Sequence, residues 1–445
     1  MQVVIVGAGE VGTSVAADLA PNHDVAIVDI DETRIEDIRY DIDVLSIVGD
    51  GTDSAVLTEA GAVESDIVIA STDDDKTNLV TCGTAQTIGD MFTISRVKNH
   101  KYQETWERNE TAFDVDFLIC SNLKTAETIV NVIGLPSAVD VRGFAGGLVQ
   151  MAEFDIPAES QIAGQTVAAA DRFDSVTFAA LFRDRELVLP QGSTSICPGD
   201  RAVVIGSPGS VQQFAQFLAP TATPGETDEI VIIGGGEIGY HTARLLEARD
   251  LSPKIIERDE HRARELAEDL PETLVVNNEP TDTEFLRREQ VDEADVLVTA
   301  LDSDENNMLV SMLGKHTGAD RVISLVDRPD YAQLFEQIGI DVAVSPRDVT
   351  AEEIIRFTRE KVALNIAVVE NGEAEVLELE LDADSDFVGQ TVREIDESID
   401  THAVFGAVGR DGDLVIPRGN TVLQPGDNVV LFVESDSVDQ IIATG

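Results

Sequence analysis

The sequence predicts an α/β protein in which a parallel-sheet lobe and a small α+β lobe alternate twice along the chain. A glycine-rich motif carries the first part of that expectation. Gly7-Ala8-Gly9-Glu10-Val11-Gly12 returns as Gly234-Gly235-Gly236-Glu237-Ile238-Gly239, each time closing an apolar run and opening a helical pattern. A second set of landmarks repeats between and after these motifs. Gly164-Gln165-Thr166, Arg183 and Pro198-Gly199-Asp200 match Gly389-Gln390-Thr391, Arg410 and Pro425-Gly426-Asp427. The length of 445 residues agrees, because it exceeds what one hydrophobic core supports.

The elements follow in order. Met1 to Val6 reads as a strand, with no charged leader or cleavage signal ahead of it. After the glycine turn come a helical pattern from Val11 to Leu19, a strand from Val25 to Val28 and a helix from Thr33 to Tyr40. A strand from Val44 to Val48, a further helix and a strand from Ile67 to Ala70 complete the series. Such βαβ alternation implies a parallel sheet. Ile230 to Ile233 starts the same series again, with Asp29 matched by Glu257, Asp66 by Asp295 and Asn78 by Asn307. The short, turn-bounded strands around Gly164 and Gly389 mark the α+β lobes. The expected boundaries are 1–137, 138–219, a turn-rich linker at 220–228, 229–360 and 361–445.

The charge balance is extreme, with 84 Asp plus Glu against 31 Lys plus Arg and a net charge of -53. That excludes nonspecific nucleic-acid binding. The acids are spread along both halves and 43% of residues are apolar, so the charge belongs to a folded surface and not to a disordered tail. Self-repulsion of this size is tolerable where counterions screen it, with a Debye length of roughly 3 Å at molar salt. A salt-rich cytoplasm is therefore expected. Cys82, Cys120 and Cys197 have no metal or redox spacing and read as structural thiols. The charge-poor stretch from Ala202 to Gly225 is interrupted by Pro208, Pro220 and Pro224 and fails as a membrane span.

In the first motif, Gly7 permits a tight turn, Gly9 lets backbone approach a pyrophosphate and Gly12 allows close helix packing, with Ala8, Glu10 and Val11 between them. The helix N-terminus then receives the phosphates. Asp29 ends the second strand, where it can accept ribose hydroxyls and repel a 2′-phosphate, favouring NAD(H), ATP or ADP over NADP. Gly49-Asp50-Gly51-Thr52 follows the third strand; Asp50 either contacts the nucleoside edge or serves the turn. Ser71 and Thr72 follow the fourth, where their hydroxyls face ribose and phosphate or cap the next helix. The second copy keeps Gly234, Gly236, Glu237, Ile238, Gly239 and Glu257, but Asn278-Glu279-Pro280-Thr281 replaces the Gly49 loop and Leu325 stands opposite Arg96. Pro280 removes a backbone donor, so the second pocket is expected to be altered or weakened.

No catalytic constellation accompanies these sites. His23, His100, His241, His261, His316 and His402 fall at no matching places in the repeats and read as surface or packing residues. Asp73-Asp74-Asp75 reads as a solvated carboxylate run. A regulator is expected and not an enzyme, with an NAD-dependent oxidoreductase as the weaker alternative.

The ordered set of Gly-x-Gly-Glu-x-Gly, Asp29, Gly49-Asp50-Gly51-Thr52, Asp66, Asn78 and Arg96 resembles the N-terminal lobe of the RCK domain family. Gly164, Arg183 and Pro198-Gly199-Asp200 resemble its C-terminal lobe. The order N, C, N, C over the whole chain resembles the TrkA family of double-RCK potassium-uptake regulators, of haloarchaeal type. The resemblance implies two Rossmann-like N-terminal lobes, each followed by a small α+β C-terminal lobe. It also implies a homo-oligomeric ring, a tetramer, peripheral at the cytoplasmic face of the membrane beneath a TrkH-like potassium pore. Binding of NAD(H), ATP or ADP would change the ring and the pore. On that pattern Gly7, Gly9 and Gly12 seat the phosphates, Asp29 the ribose, and Asp50 with Thr72 the nucleoside edge. Arg96 is the nearest cation for phosphate, unless a structural ion pair holds it. Glu10 stands where ATP-preferring relatives tend to carry a basic residue, which favours NAD(H) at the first site. The same architecture serving another cation channel or antiporter is the alternative.

Overall fold

The computed structural model describes residues 1–109, 112–135, 137–158, 160–173, 175–183, 186–218, 229–280, 288, 291, 294–328, 331–359, 365–369, 374–399, 403–438 and 440–441. The expected linker at 220–228, His402 and Thr281 lie outside the described residues. The chain divides into two compact units that group like with like. Residues 1–130 and 228–358 form one, and residues 131–227 and 359–445 the other.

In the first unit, β1 (Gln2–Val6), β2 (Asp24–Asp29), β3 (Leu45–Val48), β4 (Ile67–Ala70), β5 (Phe92–Val97) and β6 (Phe117–Cys120) form a sheet of order β3-β2-β1-β4-β5-β6. The described pairings within it are all parallel. A parallel sheet flanked by helices is buried on both faces, which is why Val3 to Val6 and Ile67 to Ala70 are unbroken apolar runs. The repeat builds the same sheet from β12 (Ile230–Ile233), β13 (Lys254–Glu257), β14 (Leu274–Asn277), β15 (Val296–Thr299), β16 (Arg321–Leu325) and β17 (Val342–Val344), in the order β14-β13-β12-β15-β16-β17. Strand order reverses between β1 and β4, and again between β12 and β15. Those reversals open a crevice at the carboxyl end of each sheet.

The two sheets are not independent. The helix Pro346–Arg359, which closes the second lobe, presents Ala351, Ile354 and Ile355 at helical spacing. These residues join the buried cluster of Val3, Ile5, Ile27, Ile69 and Ile94 in the first lobe. Phe357 from the same helix stacks on Phe117, with ring centroids 3.7 Å apart, and on Phe92 at 5.3 Å. The first core is therefore completed by residues from the far half of the chain.

In the second unit, β7 (Ala138–Phe144), β8 (Val149–Asp155), β9 (Val176–Arg183), β10 (Glu186–Val188) and β11 (Arg201–Gly206) form a sheet of order β10-β9-β11-β8-β7. Its copy uses β18 (Asn365–Val369), β19 (Ala374–Glu380), β20 (Ala403–Arg410), β21 (Asp413–Val415) and β22 (Asn428–Glu434) in the order β18-β19-β22-β20-β21. Both are antiparallel. One core holds Phe144, Met151, Phe182 and Ile205 together with Val376, Ala407, Val430 and Phe432. The landmarks that revealed this repeat in the sequence pair with one another. Arg183 grips the buried Asp200 through Nε and Nη2, both at 2.8 Å, and Arg410 grips Asp427 at 2.7 and 2.6 Å. Each Asp also accepts a loop N–H, from Cys197 and Gln424 respectively. The pair ties the end of one strand to the turn before the next.

Cys82 and Cys120 are buried, and burial pushes their thiols up to about 12 and about 11, as expected of structural thiols; Cys197 is half-buried. Among the described residues no helix is long and apolar enough to cross a membrane.

Two stability predictions follow from this packing. Ile354→Ala should cost about 3 kcal/mol in denaturant unfolding and loosen the first sheet, although the residue belongs to the second lobe. Asp200→Ala, which removes two bonds of Arg183 and the acceptor of the Cys197 N–H, should cost about 2 kcal/mol by the same measurement.

Candidate nucleotide sites at the two glycine loops

Each glycine loop runs from the end of the central strand into a helix, Glu10–Leu19 in the first lobe and Glu237–Glu247 in the second. Five of the seven glycines are demanded by the protein's own packing, Gly235 among them, where a Cβ would stand 2.2 Å from Leu266 Cδ1. Gly7 and Gly234 have φ of +109° and +107°, and a Cβ on Gly7 would stand 2.8 Å from the Thr72 amide. A Cβ on Gly12 would overlap the Gly7 carbonyl oxygen, and one on Gly239 the Gly234 carbonyl oxygen. The middle glycines are different. A Cβ on Gly9 would meet only Arg34 Nη1, at 3.7 Å, and one on Gly236 would meet nothing within 4 Å. Nothing inside the protein needs a glycine there, whereas a pyrophosphate approaching the backbone does.

The helices behind these loops also lack the caps that other helices have. Asp31, Asp53, Asp74, Asn99, Asp259 and Ser303 each accept a backbone N–H at their helix starts. Gly9 and Gly236 provide no side-chain cap. The first-turn N–H groups, including those of Glu10, Val11 and Gly12, therefore face the crevice at the positive end of the helix dipole. Their counterparts Glu237, Ile238 and Gly239 do the same in the second lobe.

Asp29 and Glu257 occupy one place in the two copies. Asp29 accepts the Ala8 N–H at 2.7 Å and the Asp31 N–H at 2.9 Å; Glu257 accepts those of Gly235 at 2.7 Å and Asp259 at 2.8 Å. Each acid thus fixes the shape of its glycine loop, a role beyond the ribose contact expected of it. Each carboxylate oxygen accepts one of these bonds and retains capacity for another. An arginine that sequence reasoning missed stands beside each loop. Arg34 Nη1 lies 3.8 Å from Asp29, while Arg262 donates through Nε to the Gly235 carbonyl at 2.8 Å. The signal was present, since Arg follows the acid at the same interval in both copies.

Around the first crevice, most expected contacts have partners within the protein. Asp50 accepts the Thr52 N–H and hydroxyl, which hold its carboxyl below the usual range, so the turn role applies. Gly49 and Gly51 are packed against Val56 and Val6. The buried Ser71 hydroxyl lies 3.3 Å from the Val6 carbonyl. Thr72 is held by Asn78, which receives its N–H at 2.9 Å and its hydroxyl at 2.6 Å. The cap of the next helix is Asp74, not Ser71 or Thr72. Arg96 is buried, donating to Ser121 Oγ at 3.0 Å and the Ser71 carbonyl at 3.3 Å, with Asp73 at 3.6 Å. The structural alternative describes it. Burial lowers its pKa from the ordinary arginine value.

Asp73 and Asp74 are exposed, as a solvated run would be, and with Asp75 they also engage Lys98 Nζ, the Thr77 N–H and the N–H groups of Lys98 and Asn99. One expectation needs correction. Glu10 does not present an unbalanced charge, because Arg347, which also binds Asp327 at 2.6 Å, pairs with it. Burial opposes the charge on Arg347, yet the bonds to Asp327 and Glu10 raise its pKa. His241 is buried as a packing residue, and it and His100 both lie against Glu237, His100 Nδ1 at 3.6 Å and His241 Nε2 at 3.9 Å. Burial pushes the His241 imidazole down to about 3.

The second crevice keeps the open middle glycine, the uncapped helix and the acid latch. Asn278 preserves the backbone bond of Gly49, donating its N–H to the Glu257 carbonyl at 3.0 Å where Gly49 donates to Asp29 at 2.8 Å. Pro280 is buried, and Leu325 takes the place of Arg96 in the sheet register.

Comparison with known proteins agrees with this architecture. The TrkA-N domain family matches residues 3–121 and 230–346, and the TrkA-C domain family residues 151–219 and 376–444. The chain is 34% identical to Trk system potassium uptake protein TrkA homolog 1 of Methanosarcina mazei, over 99% of both chains. It is 33% identical to the TrkA homolog of Archaeoglobus fulgidus, again over 99% of both. Among solved structures, the GsuK channel bound to NAD superposes with a TM-score of 0.62 at 19% identity, covering 100% of this chain and 79% of that one, a likeness of fold. With two TrkA-N and TrkA-C pairs in alternation and full-length similarity to TrkA homologues, the chain belongs to the TrkA family of potassium-uptake proteins.

Proposed function

We propose that this chain is a nucleotide-responsive regulatory subunit of a membrane potassium-uptake system. The observation that carries the reading is the pair of uncapped helix starts with a middle glycine that only a ligand requires. In the first crevice the N–H groups after Gly9 would hold the pyrophosphate, Arg34 would balance its charge from the rim, and Asp29 would accept ribose hydroxyls. The acids Asp29 and Glu257 disfavour a 2′-phosphate, which points to NAD(H) or ADP. Glu10 is a weaker argument against ATP than its charge suggests, since Arg347 neutralises it. The preference for NAD(H) over NADP(H) therefore rests on Asp29. The second crevice retains the same three features and would bind a nucleotide as well, with its preference altered around Asn278 and Pro280.

Family membership supports a partner of this kind: a membrane-embedded, TrkH-like potassium-translocating subunit, with several copies of this chain forming a ring, a tetramer, at its cytoplasmic face. A ligand changes such a ring only through unequal affinity for its two shapes, with a coupling of roughly 1 to 3 kcal/mol. The acidic surface suits a cytoplasm rich in salt, consistent with a haloarchaeal origin.

Calorimetric titration of the full chain tests the reading. NADH should bind at least ten-fold more tightly than NADPH. Gly9→Ala should weaken the first site at least ten-fold while stability changes by no more than about 1 kcal/mol, the scale of a cap substitution. Absence of nucleotide binding in the unmodified chain, or unchanged affinity in both Gly9→Ala and Gly236→Ala, would refute it.

A further inference from the structure

We infer that His100, Glu237 and His241 form a binding site for a divalent transition metal, Zn²⁺ by ligand chemistry, joining the two Rossmann-like lobes. One ligand atom from each residue lies within 4.8 Å of the other two. Glu237 and His241 sit one helical turn apart on the helix Glu237–Glu247 and share a face. His100 opens the helix His100–Arg108 of the other lobe. Glu237 Oε2 is 3.6 Å from His100 Nδ1 and 3.9 Å from His241 Nε2, against about 3.3 Å between ligands of a tetrahedral zinc. Closing the site takes a contraction of a few tenths of an ångström on the Glu237 side, with the two imidazoles, whose ligand atoms lie within 4.8 Å, drawn together by rotamer adjustment.

An independent observation points to a ligand. His241 is fully buried, yet neither of its ring nitrogens has a hydrogen-bond partner, and His100 Nδ1, also buried, has none. Leaving such groups unpaired is costly, and a cation between them would satisfy two of the three nitrogens at once. The surrounding groups suit ligation. The second nitrogen of His100 faces Glu104 at 3.7 Å, the carboxylate–histidine arrangement that orients metal-bound imidazoles. The second oxygen of Glu237 faces Arg262 at 3.6 Å. Two imidazoles and one carboxylate favour zinc over Mg²⁺ or Ca²⁺, which prefer oxygen donors. Three protein ligands leave a fourth position open to water or to a small anion.

The site has no equivalent at the first fingerprint. There Glu10 pairs with Arg347, and Ser14 holds the position of His241. The same junction of the duplicated lobes is thus closed by an ion pair on one side and, on this proposal, by a metal on the other. The inference stands whether or not either crevice binds nucleotide.

The experiment is metal analysis of the full chain after chelator treatment, reloading with Zn²⁺ and desalting. Wild type should retain about one zinc per chain, gain thermal stability from it and show a visible absorption band when Co²⁺ replaces zinc. Mg²⁺ should reproduce none of this. His100→Gln and Glu237→Gln, checked for folding by circular dichroism, should each lose the retained metal and the cobalt band. Wild type that retains no zinc would overturn the proposal. So would either folded variant that retains zinc with an unchanged cobalt spectrum, because the metal would then lie elsewhere.

Discussion

A parallel sheet must be covered on both faces, and the first sheet of this chain obtains part of its cover from the other half of the sequence. Ile354 and Ile355 are buried among Val3, Ile5 and Ile27, and Phe357 stacks between Phe92 and Phe117. That constraint explains why the duplicated lobes associate like with like. It also brings Arg347, at the start of the same helix, to Glu10 at the first glycine loop. The electrostatics of one crevice therefore depend on packing contributed by its duplicate. His100 reaches Glu237 across the same pair of lobes.

Much of the fold was legible because it rests on local pattern. The apolar runs, the glycine fingerprints and the repeat offsets identify both parallel sheets and both α+β lobes, in the right alternation. Asp29 and Glu257 were legible as candidates because each ends a strand at nearly the same interval after a fingerprint. Arg34 and Arg262 were equally accessible and were missed, since attention to the acid obscured the cation that follows it. The pairing of Arg183 with Asp200 could have been read from the repeat, where both residues return together as Arg410 and Asp427.

What the sequence concealed are contacts between lobes. Nothing near Glu10 in the chain announces Arg347, and nothing near His100 announces Glu237 or His241. The repeat comparison even worked against the histidines, because a residue without a counterpart appears dispensable. The same blindness affected the charge argument at Glu10, whose charge is offset by Arg347 from the other half. Arg96 shows the converse: a cation that looked available for phosphate is buried and bonded to Ser121 and the Ser71 carbonyl.

The two fingerprints emerge as more alike than their flanking loops suggest. Both keep the open middle glycine, the uncapped helix and a carboxylate latch on the loop, and they differ in what closes the junction beside them. The central claim is that these loops are built around a bound nucleotide. Amide hydrogen exchange of the full chain with and without NADH tests it most directly. The account predicts slowed exchange at Gly9 to Gly12 and at Gly236 to Gly239, where uncapped N–H groups would bond phosphate. Unchanged exchange at both segments under saturating NADH would contradict it.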